Sequence, residues 1–210
     1  SIISTSIINP VQYNVDMRVT DSGFVSVEDN NPVLPNTNIK IYREDVSEAK
    51  YDGKVKIDDE FNESPIKAGT YKYYFTQTSK SNGSVKYYNP LEGKYIKVIA
   101  KVEGNGRVSL MNGNTEDNSY FEVYSGDISS RKSTDKRITD ENVLKYIHTG
   151  ITTLNNVSTI RAVVENPAQF QIDIAAKNST GKDISGINYT IRRNDNTIRF
   201  NGEVTTDIEY

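Results

Sequence analysis

Apolar and polar residues alternate with a period of two in one segment after another, and that period belongs to half-buried β-strands. Val11-Gln12-Tyr13-Asn14-Val15-Asp16-Met17-Arg18-Val19 alternates without a fault. Residues 38–42, 71–75, 95–102, 120–124, 170–174 and 187–191 repeat the pattern. Turn signals punctuate these segments: Asp52-Gly53, Ala68-Gly69, Asn82-Gly83, Gly104-Asn105-Gly106 and Asn201-Gly202. One short stretch reads as a helix. Thr139-Asp140-Glu141-Asn142 offers a capping residue and acids in the first turn, Val143, Leu144, Tyr146 and Ile147 supply apolar residues, and Gly150 stops it. Residues 112–139 are polar and turn-rich around one strand near Phe121, which predicts either a long excursion from the sandwich or a subdomain boundary.

Composition narrows what such strands can build. Hydrophobic residues make up 35% of the chain and charged residues 25%, a modest core that suffices when each strand buries one face. A net charge of −3 favours no polyanionic partner, so nucleic acid is not expected. The densest basic cluster, Arg131, Lys132, Lys136 and Arg137, reads as a solvated loop. The chain has no cysteine, which removes disulfides, thiolate metal sites and cysteine nucleophiles. No apolar run approaches a membrane helix, so no membrane insertion is expected.

The sequence also resembles itself. Asn9-Pro10-Val11-Gln12-Tyr13-Asn14-Val15-Asp16-Met17 returns as Asn166-Pro167-Ala168-Gln169-Phe170-Gln171-Ile172-Asp173-Ile174, 157 positions on. Asn38-Ile39-Lys40-Ile41-Tyr42-Arg43 matches Asn188-Tyr189-Thr190-Ile191-Arg192-Arg193, and Tyr51-Asp52-Gly53-Lys54-Val55 matches Phe200-Asn201-Gly202-Glu203-Val204. The expected organisation is a closing strand of a preceding repeat (1–10), one complete β-sandwich repeat (11–166) and the opening half of a following one (167–210). The fold class expected is all-β: tandem immunoglobulin-like or prealbumin-like β-sandwiches.

The run from Val163-Val164-Glu165-Asn166-Pro167 through Ala175-Ala176-Lys177, Thr180-Gly181, Gly186-Ile187-Asn188-Tyr189 and Gly202-Glu203-Val204-Thr205-Thr206-Asp207 resembles the opening half of collagen-adhesin B-type domains, also found in Gram-positive pilins. Ala68-Gly69-Thr70-Tyr71 resembles a later strand of the same domains. The resemblance implies a surface-anchored stalk, pilus shaft or adhesin repeat. It also implies, in many members, an isopeptide bond between a first-strand lysine and a last-strand asparagine, assisted by a glutamate. Such a bond needs a buried, neutral amine. Lys177 falls at the lysine position of the last unit, and Asn166 and Asn9 at asparagine positions. In the complete unit Thr20 stands where the lysine would be, with Thr76 and Gln77 where the glutamate would be, so that unit is expected to lack the bond. The plainer reading makes Lys177 a solvent-facing lysine near a turn and the Asn-Pro pairs junction turns.

Other residues weigh little. His148 is the only histidine, no serine sits in a nucleophile elbow, and the acidic clusters 58–60, 28–29 and 116–117 lack calcium-loop spacing. Residues 34–38 read as a turn entering a strand, and five Asn-x-Ser/Thr triplets are matches of the kind an Asn-rich chain makes by chance. No catalytic residue, metal site or cofactor is expected. The function expected is structural: a repeat of an extracellular or cell-wall-attached fibrous protein. The alternatives are an adhesin module holding a host or matrix ligand and an accessory domain of a secreted enzyme. The partners expected are other repeats, with head-to-tail self-assembly through Ile2, Ile3, Ile7 and Ile8, which make residues 1–9 apolar on both faces.

Overall fold

The computed structural model describes residues 11–21, 24, 26–28, 33–34, 36–55, 61–78, 86–169, 173–192, 198–203 and 208–209. The expectations placed on Ile2, Ile3, Ile7, Ile8 and Asn9, on Asn82-Gly83 and on residues 170–172 lie outside them. The chain divides into two compact units, 1–168 and 169–210.

Nearly every element is a strand. In order they are β1 (Val11–Thr20), β2 (Asn38–Arg43), β3 (Tyr51–Lys54), β4 (Phe61–Ile66), β5 (Gly69–Gln77), β6 (Lys86–Tyr87), β7 (Lys94–Val102), β8 (Val108–Asn112), β9 (Thr115–Glu116), β10 (Glu122–Ser125) and β11 (Arg137–Ile138). A helical turn α1 (Glu141–Leu144) follows, then β12 (Ile147–Leu154), β13 (Val157–Glu165), β14 (Ala168–Gln169), β15 (Asp173–Ile174), β16 (Asn188–Arg192), β17 (Ile198–Glu203) and β18 (Ile208–Glu209).

In the first unit two sheets form a sandwich. One has the order β12-β13-β1-β4; the other runs β11-β10-β7-β5-β2-β3, with β8 and β9 continuing from β7. The alternation read from the sequence decides which side chains meet between them. Tyr13, Val15, Met17 and Val19 of β1, with Ile160, Ala162 and Val164 of β13, face Ile39, Ile41, Tyr73, Phe75, Ile96 and Val98, and all are buried. At about 25 cal/mol per Å² of apolar area, this contiguous interior is the main favourable term of the unit. Most pairings are antiparallel, but β1 and β13 run parallel, from Asn14 opposite Thr159 to Thr20 opposite Glu165. Parallel partners need a long crossover, and here the whole remainder of the unit provides it.

Several expectations change. Gly53 is not in a turn: it lies inside β3 opposite Ile39, and Gly202 lies inside β17 opposite Tyr189. The turn after β2 instead spans residues 44–50, where Lys50 N–H donates to Ile41 O. The helix is one turn only. Asp140 caps it through Asn142 N–H, but Ile147 already belongs to β12, whose pairing with β13 satisfies eight residues that a short helix could not. The polar stretch 112–139 is tied to the second sheet by β10 and β11, with Val123 buried.

Within the second unit, taken by itself, two pairings have registers that match pairings of the first. β16 pairs with β17 as β2 pairs with β3: Asn38–Lys54, Ile39–Gly53, Lys40–Asp52 and Ile41–Tyr51 have counterparts in Asn188–Glu203, Tyr189–Gly202, Thr190–Asn201 and Ile191–Phe200. β15 pairs with β18 along the register that β1 sets with β4: shifted by 157 and 149 positions, the line through Tyr13–Glu63, Asn14–Asn62 and Val15–Phe61 continues into Asp173–Glu209 and Ile174–Ile208. Leu34 N–H donates to Val19 O (2.7 Å), and Ile184 N–H donates to Ala176 O (2.8 Å). Asn36 and Gly186 follow at equivalent places, both with positive φ, 59° and 84°, a conformation glycine and asparagine tolerate best.

Candidate functional site

The least expected feature lies on the outward face of the β12-β13-β1-β4 sheet. Strict alternation would leave Asp16 and Arg18 in water. Both are buried, as is Arg161 of β13, whose position is directly opposite Asp16. Asp16 Oδ2 accepts from Arg18 Nε (3.1 Å) and from Arg161 Nε (2.8 Å), and Arg161 Nη1 donates to Val27 O (2.9 Å). Burial pushes the Asp16 carboxyl up, against the opposing pull of Arg161 and Arg18.

What covers this face is the connection after β1. Val27 sits so close over β12 that a Cβ on Gly150 would overlap its Cγ2. Phe24 stacks face to face on the His148 ring at 3.7 Å, and His148 Nε2 hydrogen-bonds Glu165 Oε1 at 2.8 Å. Beside them a cavity of about 460 Å³ opens between Phe24, Val27, Phe121, Ile147, His148 and Thr149. His148 is thus engaged by a carboxylate at one nitrogen and by an aromatic ring on one face. Nothing in that arrangement sets a nucleophile against a base in the manner of acyl-transfer sites.

The asparagine of the resemblance is found in the core. Asn166 is fully buried, and its Nδ2 donates to Gln77 Oε1 at 2.9 Å, joining the two sheets. Thr20 joins this bridge through its backbone, accepting from Asn166 N–H at 2.7 Å. By the alternation of β1, Thr20 shares the parity of Asp16 and Arg18, whereas Asn166 continues the inward series Ile160, Ala162, Val164. The structure therefore joins the Asn166 and Gln77 side chains and holds Thr20 to them only through its backbone, and none of the three side chains carries an amine. In a tryptic map the peptide holding Asn166 is expected at its linear mass. A cross-linked species lighter by about 17 Da, the ammonia that a lysine–asparagine bond expels, would overturn that expectation.

Lys177 lies in the second unit, exposed, with Nζ 2.8 Å from Asp183 Oδ1. That is the solvent-facing arrangement, without the desolvation an amine nucleophile needs. The basic cluster is not wholly solvated. Arg131 lies over the rings of Tyr42 (4.6 Å) and Tyr74 (5.3 Å), in an outer aromatic patch with Tyr95 and Ile128. Inside, Tyr13 and Tyr73 share a hydroxyl hydrogen bond of 2.5 Å, and burial holds both phenols well above their usual range. Glu116 pairs with Arg107, and Asp117 accepts from Ser119. Among the described residues no group of three or more His, Asp or Glu side chains is placed to hold a metal ion, and no helix is long and apolar enough to cross a membrane.

Sequence reading missed Arg161 and Phe24. Arg161 carried a usable signal, a lone charge between Ile160 and Ala162 in an otherwise apolar strand. Phe24 carried none, because it lies in a connection without periodicity.

No family model matches the chain, and no curated protein matches it. Among solved structures, the pilus adhesin SpaC from Lactobacillus rhamnosus GG is similar at 7% identity and a TM-score of 0.39, over 94% of this chain and 22% of that one. A C-terminal fragment of the same adhesin is similar at 8% identity and a TM-score of 0.40, over 95% of this chain and 69% of the fragment.

Proposed function

We propose that the chain is a non-enzymatic, load-bearing spacer: a repeat of a fibrous protein at the cell surface, built from sandwiches of the collagen-adhesin B-type. The observation that carries this reading is the parallel pairing of β1 with β13. Because the first and last strands of the unit run the same way, the chain enters at one end of the sandwich and leaves at the other. Ten residues of β1 at about 3.3 Å each give the unit a span of about 33 Å. Each added repeat therefore lengthens a string. Tension between entry and exit also loads the β1–β13 ladder in shear, so its hydrogen bonds resist together and not one after another. The register shared by β2–β3 and β16–β17 supports reading the second unit as another copy of the same part. An absence of cysteine is in keeping with Gram-positive surface repeats.

A second reading, an adhesin module, draws on the apolar cavity around Phe24, Phe121 and His148, which is large enough for a side chain or a small ligand.

Single-molecule pulling tests the spacer. Cysteine handles at Gln12 and Pro167 load the ladder in shear. Handles at Gln12 and Asn155 peel β13 from β1 starting at one end. The shear pair is expected to unfold at several-fold higher force. Equal forces in the two geometries would remove the mechanical argument.

A further inference from the structure

The polar stretch 112–139 has no part in the spacer reading, yet it builds one wall of a second cavity. This cleft, of about 400 Å³, lies on the outward face of the second sheet, and its volume is that of a small-molecule site. Lys40 and Tyr42 of β2 and Thr76 of β5 line one side; Gly126, Asp127 and Ser129 line the other. The second wall is tied down at several points. Gly126 N–H donates to Gly93 O (3.0 Å). Ile128 is buried against Tyr42, Tyr74 and Tyr95. Its carbonyl accepts from Arg131 Nη1 (3.0 Å), whose guanidinium lies over the Tyr42 and Tyr74 rings. Asp135, which accepts from the Tyr95 hydroxyl (2.9 Å), leaves no room for a side chain at Gly126. A cleft with fixed walls loses little affinity to ordering when a ligand enters.

The charged groups around the cleft differ in what already engages them. Lys40 is paired with Asp52 at 3.0 Å. Lys94, which also lines the cleft, donates from Nζ to a neutral group, Glu92 O, at 3.0 Å. Among the described residues no carboxylate lies within ion-pair distance of it. Thr76 Oγ1 donates to Lys94 O (2.7 Å), which fixes the lysine backbone beside the cleft. On the other wall Asp127 Oδ1 accepts from Ser129 N–H at 2.9 Å. Hydrogen bonds from Ser129, and then Lys40 and Lys132, hold the Asp127 carboxyl below its usual range. Thr76, Thr78 and Ser129 add hydroxyls. An ammonium without a counter-ion attracts an anion. The Asp127 carboxylate opposes a doubly charged phosphate but accepts readily from neutral hydroxyls. An apolar ligand would leave all these groups unsatisfied. We infer that the cleft binds a hydroxylated carboxylate: Lys94 holds the carboxylate, while Asp127 and the Thr78 and Ser129 hydroxyls hold the ligand's hydroxyl groups. Two sources carry this chemistry, an acidic sugar residue within a glycan and a free hydroxy acid. The site does not rest on the spacer reading, since a spacer can carry it or lack it.

Amide NMR spectra of the full chain test it, with D-glucuronate as the probe. Saturable shifts are expected at Gly93, Lys94, Gly126 and Ser129. Glucose lacks the carboxylate and acetate lacks the hydroxyls. Each is expected to bind weaker by about tenfold or more, as the loss of one charge-assisted hydrogen bond or of two neutral ones implies. Lys94→Gln is expected to weaken glucuronate by the same factor, and its spectrum away from the cleft reports whether the fold is kept. Lys94→Arg retains the charge and is expected to retain binding. A glucuronate oligosaccharide that binds more tightly than glucuronate assigns the glycan as source. D-gluconate binding as tightly as glucuronate, with no gain from the oligosaccharide, assigns the free acid. The inference is overturned if glucuronate shifts none of these amides, if acetate binds as tightly as glucuronate, or if Lys94→Gln binds as well as the unaltered chain.

Discussion

Replacing Asp16 by alanine is expected to lower the stability of the first unit by about 3–5 kcal/mol, because the change strips the shared carboxylate from two buried guanidiniums. Arg18 and Arg161 are 3% and 5% exposed, too deep for water to take the place of Oδ2. Arg161 also holds Val27 O, so loss of its anchor should loosen the connection over Gly150 and the Phe24–His148 stack. Urea unfolding gives the magnitude, and hydrogen exchange in β12 shows whether the cover has lifted. The counterpart is as informative. Replacing Asp16, Arg18 and Arg161 together by apolar residues of similar volume is expected to be neutral or stabilising, since the network offsets its own desolvation only while complete. If Asp16→Ala costs no more than a surface change, the charges are solvated and the cover over that face is not there.

Phe75→Ala should cost about 3–5 kcal/mol, the usual penalty for emptying an aromatic site in a packed interior. Its neighbour Tyr74→Ala should cost less, about 2 kcal/mol, because the outer patch is thinner and part of its energy is a cation–π contact. The two residues are adjacent on β5 and face opposite ways. Phe75 has no exposed surface and packs between the sheets, whereas Tyr74 meets Tyr42, Tyr95 and Ile128 under Arg131. Chemical denaturation of the two variants reads the sidedness of the strand directly. Equal costs would mean that the outer patch is a second core, and the architecture of two sheets around one interior would need revision.

The alternation of residues 11–19, 38–42, 71–75 and 95–102 was enough to place β1, β2, β5 and β7 and to say which side chains face inward. Strand periodicity is a local property, imposed by a backbone that sends successive side chains to opposite faces. The matched segments around Asn38 and Asn188, and around Tyr51 and Phe200, likewise located hairpins whose registers agree. Within those hairpins Asp52-Gly53 read as a turn. The tertiary structure put it in a strand, because pairing with β2 satisfies the backbone and outweighs a dipeptide preference. The same holds after α1, where the partnership of Ile147 with Val164 cuts the helix short. What no local pattern could decide was the fate of the polar face of β1. Asp16 and Arg161 stand 145 positions apart, and a charge can be buried only where its partner and its cover arrive together. Both came from distant chain, Arg161 through the parallel pairing of β13 and the cover through Phe24 and Val27, so the residues alone read as a solvent-facing row and only the assembled sheet turned them into an interior.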